Sequence, residues 1–279
     1  MLTATVARPG RLAHPPEASD ALRLSATSRC EEAVTSLTDH VPTGYSGCMD
    51  LELIELYPSP FSERVRWVLD MKGVPYRRRS YQPLAGEAEL REKTGQSTVP
   101  VFFADGELVG DSNAAVDWIE AHHPTPALLP ADPTQRLQVR AVELAATEAL
   151  APWARLGFIG RAKARDLQPL ADHFAAKYGW SPQREASTGR VLRALLADLT
   201  QTLATRSYLV GDTLTRADVT VAAMLATVFG HPADDLFALD APMRAMFGLP
   251  FGDDAALAPL RRWRDDLYRR HRGRRVVPE

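Results

Sequence analysis

Ser59 heads the run Ser59-Pro60-Phe61-Ser62, between an alternating strand-like stretch from Leu51 to Tyr57 and an amphipathic segment carrying Val65, Val68, Leu69 and Met71. The hydroxyl therefore stands at a helix start, with Pro60 at the first helical position, where a missing N–H and a fixed φ are tolerated. The first N–H groups of a helix lack intrahelical partners and carry the positive end of its dipole, so the position favours an anion. A thiolate is one such anion. A free thiol has a pKa of about 8.5, and lowering it by two units takes about 2.7 kcal/mol. One charge-assisted hydrogen bond and a helix terminus can supply that. The purely structural role for the same hydroxyl is an N-cap, worth about 1 kcal/mol. Tyr57 and Ser62 carry competing hydroxyls, Tyr57 at a strand end suited to packing.

These residues must be positioned by a recognisable succession of elements. After the first strand and helix come a second strand and helix, then Thr98-Val99-Pro100 leading into the apolar run Val101 to Phe103. A turn at Asp105-Gly106 and a short second run complete a hairpin, and Asp111-Ser112 opens another helical pattern, where an acidic residue and a serine read as a cap. Pro100 at a strand start or special turn avoids the loss of a ladder hydrogen bond.

Taken together, Tyr57-Pro-Ser59-Pro-Phe61-Ser-Glu-Arg64-Val-Arg66, Thr94-Gly-Gln-Ser-Thr98-Val99-Pro100 and Gly110-Asp111-Ser112 resemble the thioredoxin-fold half of a Ser-type cytosolic glutathione S-transferase. The resemblance spans residues 50 to 270. Thr94 to Pro100 is also similar to a glutaredoxin segment, and Ser59-Pro-Phe61 resembles the Cys-Pro-Phe of omega-class transferases. The usual Asn-Pro-x-Gly-x-Val-Pro approach is not reproduced at Gly95 to Thr98.

The resemblance implies Ser59 as the catalytic residue, its hydroxyl donating to the sulfur of glutathione. Pro100 would be cis, leaving the Val99 main chain to pair with the cysteinyl backbone. Asp111 and Ser112 would take the γ-glutamyl group at a helix N-terminus. Phe61, Trp153 and Phe158 are expected around the second substrate. Gln96, Arg64 and Arg66 are within sequence reach of the ligand's carboxylates, although arginines are also common on solvated helix faces. The implied partners are glutathione as co-substrate, a small electrophile and a second copy in a homodimer. The implied reaction is thiolate attack in conjugation, isomerisation or ether cleavage, with a non-catalytic glutathione-binding scaffold as the alternative.

The expected fold class is α/β plus all-α, a thioredoxin-like domain at 49–123 and an all-helical domain at 134–279, joined by a linker at 124–133. Pro124-Thr-Pro126 and Pro130-Ala-Asp-Pro133 mark that linker, because closely spaced prolines block a helix. Helical patterns follow at Leu137 to Gly157, Ala162 to Tyr178, Glu185 to Thr205, Thr215 to Phe229 and Leu257 to Arg270. Thr215-Arg-Ala-Asp218 reads as a capping box flanked by the staple pair Leu214 and Val219. Residues 230–256 read as a loop with one short helix, and Arg261 to Arg275 as a solvated last helix with a frayed tail. Residues 1–48 lack sustained periodicity and are expected to be a disordered extension or a misassigned start ahead of Met49.

Composition narrows the function classes. The chain of 279 residues is 45% hydrophobic, which suits a sizeable core. A net charge of −2 gives no general attraction to nucleic acid or an anionic membrane. No stretch approaches the roughly 20 apolar residues of a membrane helix, so a cytoplasmic location is expected. The two cysteines, Cys30 and Cys48, precede the first strand, which leaves no Cys-x-x-Cys pair and no Cys-based metal site in the patterned region. The seven histidines form no His-x-x-x-His pair with a nearby acid, so no metal is expected.

Overall fold

The computed structural model describes residues 49–165, 168–233, 235–272, 274 and 276, and the expected extension at 1–48 lies outside the described residues. Its sheet is built on β1 (Leu51–Glu55), followed by α1 (Pro60–Met71), β2 (Arg77–Ser80), α2 (Glu87–Thr94), the hairpin β3 (Val101–Ala104) and β4 (Glu107–Gly110), and α3 (Ser112–His122). The spatial order is β2-β1-β3-β4, with β2 parallel to β1 and the other pairs antiparallel.

Two-residue periodicity assigns the faces. Leu51, Leu53 and Phe102 join the main core with Val65, Val68 and Leu69 of α1 and with Val116 and Ile119 of α3. On the opposite face Ile54 and Val101 pack with Leu90 of α2. The sheet is thus covered on both sides. Its β2 edge reads Arg77-Arg78-Arg79, charged and only four residues long, which blunts it against pairing with another chain. Arg77 bridges Asp50, Arg78 bridges Glu55 and Arg79 bridges Glu89.

The rest is helical. α4 (Pro133–Ala145) passes through a π-helical turn at Ala146–Leu150 into α5 (Ala151–Ala164), so the first long helix begins earlier and ends later than its apolar pattern implied. Asp132 caps its start by accepting from the Gln135 N–H at 2.8 Å. The expected helix from Ala162 to Tyr178 is instead divided, with α5 ending at Ala164 and α6 (Leu170–Tyr178) starting after Pro169, which cannot continue a helix. Then come α7 (Pro182–Leu203), α8 (Arg216–Met224), α9 (Ala226–Phe229), α10 (Ala241–Met246) and α11 (Ala258–Leu267). Among the described residues that follow Phe229, α10 is accompanied by 3-10 turns at Pro250–Asp253 and Ala255–Leu257. One of them needs Gly252, because a Cβ there would fall 2.4 Å from the Val228 carbonyl oxygen.

The capping box forms. Asp218 is fully buried and accepts from the Thr215 N–H at 2.8 Å, the Thr215 hydroxyl at 2.9 Å and the Leu209 N–H at 2.7 Å. It fixes the start of α8, every residue of which is buried. Asp218→Ala strands these donors and is expected to lower stability by about 2 kcal/mol, read as a shifted urea midpoint at unchanged slope.

The arginines of α1 and of the last helix depart from the sequence reading. Arg64 and Arg66 are each 1% exposed and lie on no solvated face. Arg66 pairs with Glu55 and Glu63, and Arg64 with Glu143. Beyond α11, Arg272 bridges Glu63 at 2.9 Å and Asp70 at 2.6 Å, and Arg264 is also buried. The last segment is therefore fastened onto α1 by buried charge rather than frayed at this point. Apolar neighbours make such pairing obligatory, because an unpaired buried charge costs several kcal/mol.

Candidate active site

The β1–α1 turn, the turn before β3, the start of α3 and the helices α5 and α6 surround a cleft of about 330 Å³. Ser59, Phe61, Val99, Pro100, Asp111, Ser112 and Phe158 all line it. Trp153 does not. It sits half-buried against the core, one residue beyond Pro152, which does face the cleft.

Ser59 is the residue preceding α1, in extended conformation, and its side chain makes no capping hydrogen bond. Its hydroxyl has no hydrogen-bond partner among the described residues, so it is available to a ligand at the positive end of α1. The competing hydroxyls are engaged elsewhere. Ser62 is fully buried and its Oγ accepts from the Leu56 N–H at 3.4 Å. The Tyr57 hydroxyl lies 2.7 Å from the Ala238 carbonyl and 2.9 Å from the Val276 carbonyl, and its ring stacks on Phe237 at 4.9 Å. Burial pushes the phenol up to about 12, despite the nearby Arg66 charge, so Tyr57 stays protonated and tied to the segment behind the turn.

In the same cleft the Val99–Pro100 bond is cis. The Val99 N–H and C=O take no backbone partner among the described residues. At the head of α3 Asp111 caps the helix through Oδ1, which accepts from Asn113 N–H at 2.9 Å and Ala114 N–H at 3.0 Å. The neighbouring Ser112 hydroxyl has no such commitment among the described residues. Gln96 lies outside the cleft lining.

The two helix starts are held together by buried charge. Arg64 donates to Asn113 Oδ1 at 2.6 Å in the first turn of α3 and to Glu143 at 2.6 Å on α4. Glu143 also accepts from Arg216 of α8 at 2.7 Å and from the Thr220 hydroxyl at 3.2 Å. One carboxylate therefore couples α1, α3, α4 and α8 behind the cleft.

Sequence reasoning missed the residues contributed by α6 and by the middle of α5. Lys177 lines the cleft and donates to Glu87 at 2.7 Å and to the Ser97 carbonyl, tying α6 to the approach to Pro100. Hydrogen bonding from Lys177 holds the Glu87 carboxyl below its usual range. Phe174 and Tyr178, four residues apart on α6, present one face to the cleft, which was the available signal. Arg155 of α5 also lines it, three residues before Phe158, whose ring packs 5.6 Å from Phe247. Among the described residues no helix is long and apolar enough to cross a membrane, and no group of three or more His, Cys, Asp or Glu side chains is placed to hold a metal ion.

Comparison with known proteins points in one direction. Residues 53–127 match the model of the glutathione S-transferase N-terminal domain. A probable maleylacetoacetate isomerase of Caenorhabditis elegans is 31% identical over 175 residues, covering 62% of this chain and 76% of the relative. A maleylpyruvate isomerase of a Ralstonia species is 35% identical over 96 residues, covering 33% of this chain and 45% of the relative. Among solved structures, a glutathione S-transferase of Methylobacterium radiotolerans in complex with glutathione sulfonate superposes with a TM-score of 0.58 at 23% identity, covering 79% of this chain and 91% of that one. The beta-etherase LigF of a Sphingobium species gives a TM-score of 0.60 at 18% identity, covering 79% and 95%.

Proposed function

Because the chain belongs to the glutathione S-transferase family, we propose that its cleft binds glutathione with the thiol at Ser59 and activates it for attack on a small electrophile. The free Ser59 hydroxyl at the start of α1, in one cleft with Val99 and Ser112, carries this reading. The Ser59 O–H donates to the sulfur, and the first N–H groups of α1 add the field of the helix terminus, so the thiol proton is lost to water and the thiolate remains. Val99 offers its main chain to the cysteinyl unit, and Ser112 with the start of α3 receives the γ-glutamyl carboxylate. Asp111 acts by fixing that start.

The thiolate sulfur then bonds to the electrophilic carbon. In conjugation a leaving group departs with its electron pair. In isomerisation the sulfur adds to a conjugated double bond, the resulting single bond rotates, and elimination restores thiolate and alkene. Phe61, Phe158 and Phe247 make the apolar side of the cleft that receives the second substrate. The division into a glutathione-binding domain at 49–123 and a helical domain at 134–279 is part of the same proposal. So are a cytoplasmic location and a homodimer, the latter supported by exposed Leu108 on β4 and exposed Leu137 and Leu144 one heptad apart on α4.

Retention on immobilised glutathione followed by turnover against a panel of electrophiles tests the reading. Retention with turnover is the expected result. Retention without turnover on any electrophile would point to a glutathione-binding scaffold, and failure to be retained would remove glutathione from the account.

A further inference from the structure

Two cationic side chains line the cleft, and they differ in one respect. Lys177 is paired with Glu87 and the Ser97 carbonyl. Arg155 has no salt bridge and no hydrogen bond among the described residues. Its guanidinium lies 4.2 Å from the centroid of the Tyr178 ring and 5.3 Å from that of Phe61. The two rings hold the cation from α6 and from the first turn of α1, leaving its five N–H donors without a protein acceptor. Glu148, the other charged residue that α5 and the preceding π-turn bring to the cleft, is exposed and outside salt-bridge distance. Burial lowers the affinity of Arg155 for its proton, yet an arginine keeps its charge at any physiological pH.

Glu148 offsets part of that burial through space, but it forms no ion pair, and a half-buried cation without a paired acid is costly unless an anion completes it. Phe61 lies two residues from Ser59 and its ring is 5.3 Å from the Arg155 guanidinium, so Arg155 is assigned to the sulfur end of the ligand rather than to the γ-glutamyl end assigned above to Ser112. We propose that Arg155 binds a carboxylate of the second substrate, so that the enzyme selects electrophiles carrying an acid group next to the reacting carbon chain. The inference rests on the placement of glutathione given above. A planar guanidinium suits a carboxylate through two parallel N–H···O bonds, and the aromatic pair fixes its plane in advance.

Binding of matched conjugates tests this without requiring turnover. S-(4-carboxy-2-nitrophenyl)glutathione, its methyl ester and S-methylglutathione would be titrated calorimetrically into the wild-type chain, Arg155→Gln and Arg155→Lys. The acid conjugate is expected to bind the wild type roughly tenfold or more tighter than the ester. Arg155→Gln should abolish that preference, Arg155→Lys should keep part of it, and S-methylglutathione should bind all three alike, which also reports their folding. Equal binding of acid and ester to the wild type would overturn the inference while leaving the glutathione reading intact. Weakening of S-methylglutathione by Arg155→Gln as large as that of the acid conjugate would reassign Arg155 to glutathione itself. If S-methylglutathione does not bind the wild type, both readings fall.

Discussion

Ser59→Ala is expected to lower kcat about tenfold at neutral pH while changing glutathione affinity little. The missing hydroxyl acts on the thiolate: raising the bound thiol from about 6.5 by one to two units cuts the thiolate fraction at pH 7 by about 3- to 25-fold, the helix terminus keeping its own share of the activation. The remaining contacts offered to glutathione, the Val99 main chain and the start of α3 at Ser112, are untouched by the substitution. Because Ser59 makes no capping hydrogen bond, the substitution removes no cap from α1. Melting temperature should therefore stay near the wild-type value, which separates a chemical role from a structural one. Steady-state kinetics with a neutral electrophile, paired with calorimetric titration of glutathione, reads both quantities. A variant with unchanged kcat would leave the helix terminus as the activating element.

Glu143→Gln is expected to cost about 3–5 kcal/mol of stability, the usual penalty for breaking a buried ion pair from one side. The carboxylate faces Arg64 through Oε1 and Arg216 through Oε2, and the Thr220 hydroxyl shares Oε1. An amide keeps the size but presents N–H donors to one guanidinium, leaving buried charge opposed rather than paired. Arg64 also holds Asn113, so the loss reaches the start of α3 at the cleft. The denaturant midpoint should fall, and glutathione affinity should weaken with it even though Glu143 touches no ligand. A variant as stable as the wild type would show that the network carries no net stability in this fold.

Much of this arrangement was legible in the residues. Strand alternation at Leu51 to Glu55, the proline at the first position of α1, Asp105-Gly106 in the hairpin turn and the Thr215–Asp218 box each have one local explanation, and each appears in the structure. A second strand was expected in this place in the order, but the bounds of β2 were not legible, because Arg77-Arg78-Arg79 lies at a charged edge and is defined by its neighbour β1 rather than by apolar periodicity. Arg64, Arg66 and Arg272 read as surface residues because arginine is rarely buried. Arg66 has Glu63 three residues away on its own helix, but the acids of Arg64 and Arg272 lie 79 and 209 positions away, at Glu143 and Glu63, and no local spacing announces those pairs.

The candidate site divided along the same line. Ser59, Val99, Asp111 and Ser112 stand at element ends, where sequence carries turn and cap signals, and the fold gathers them into one cleft. Arg155, Lys177 and Phe247 come from the helical part, where an arginine or aromatic in mid-helix looks the same whether it meets solvent, core or ligand. Trp153 illustrates the reverse error: it sits two residues from Arg155 on α5 yet packs against the core. A difference of two positions on a helix is about 200° of rotation.

The acidity of the bound thiol tests the central claim most directly. Ultraviolet titration of the thiolate of glutathione bound to the wild-type chain should give a pKa near 6.5, about two units below the free thiol, and Ser59→Ala should move it upward by at least about one unit. A bound thiol that titrates near 8.5 in the wild type, or at the same pH in both proteins, would contradict the assignment of Ser59 as the group that holds the thiolate.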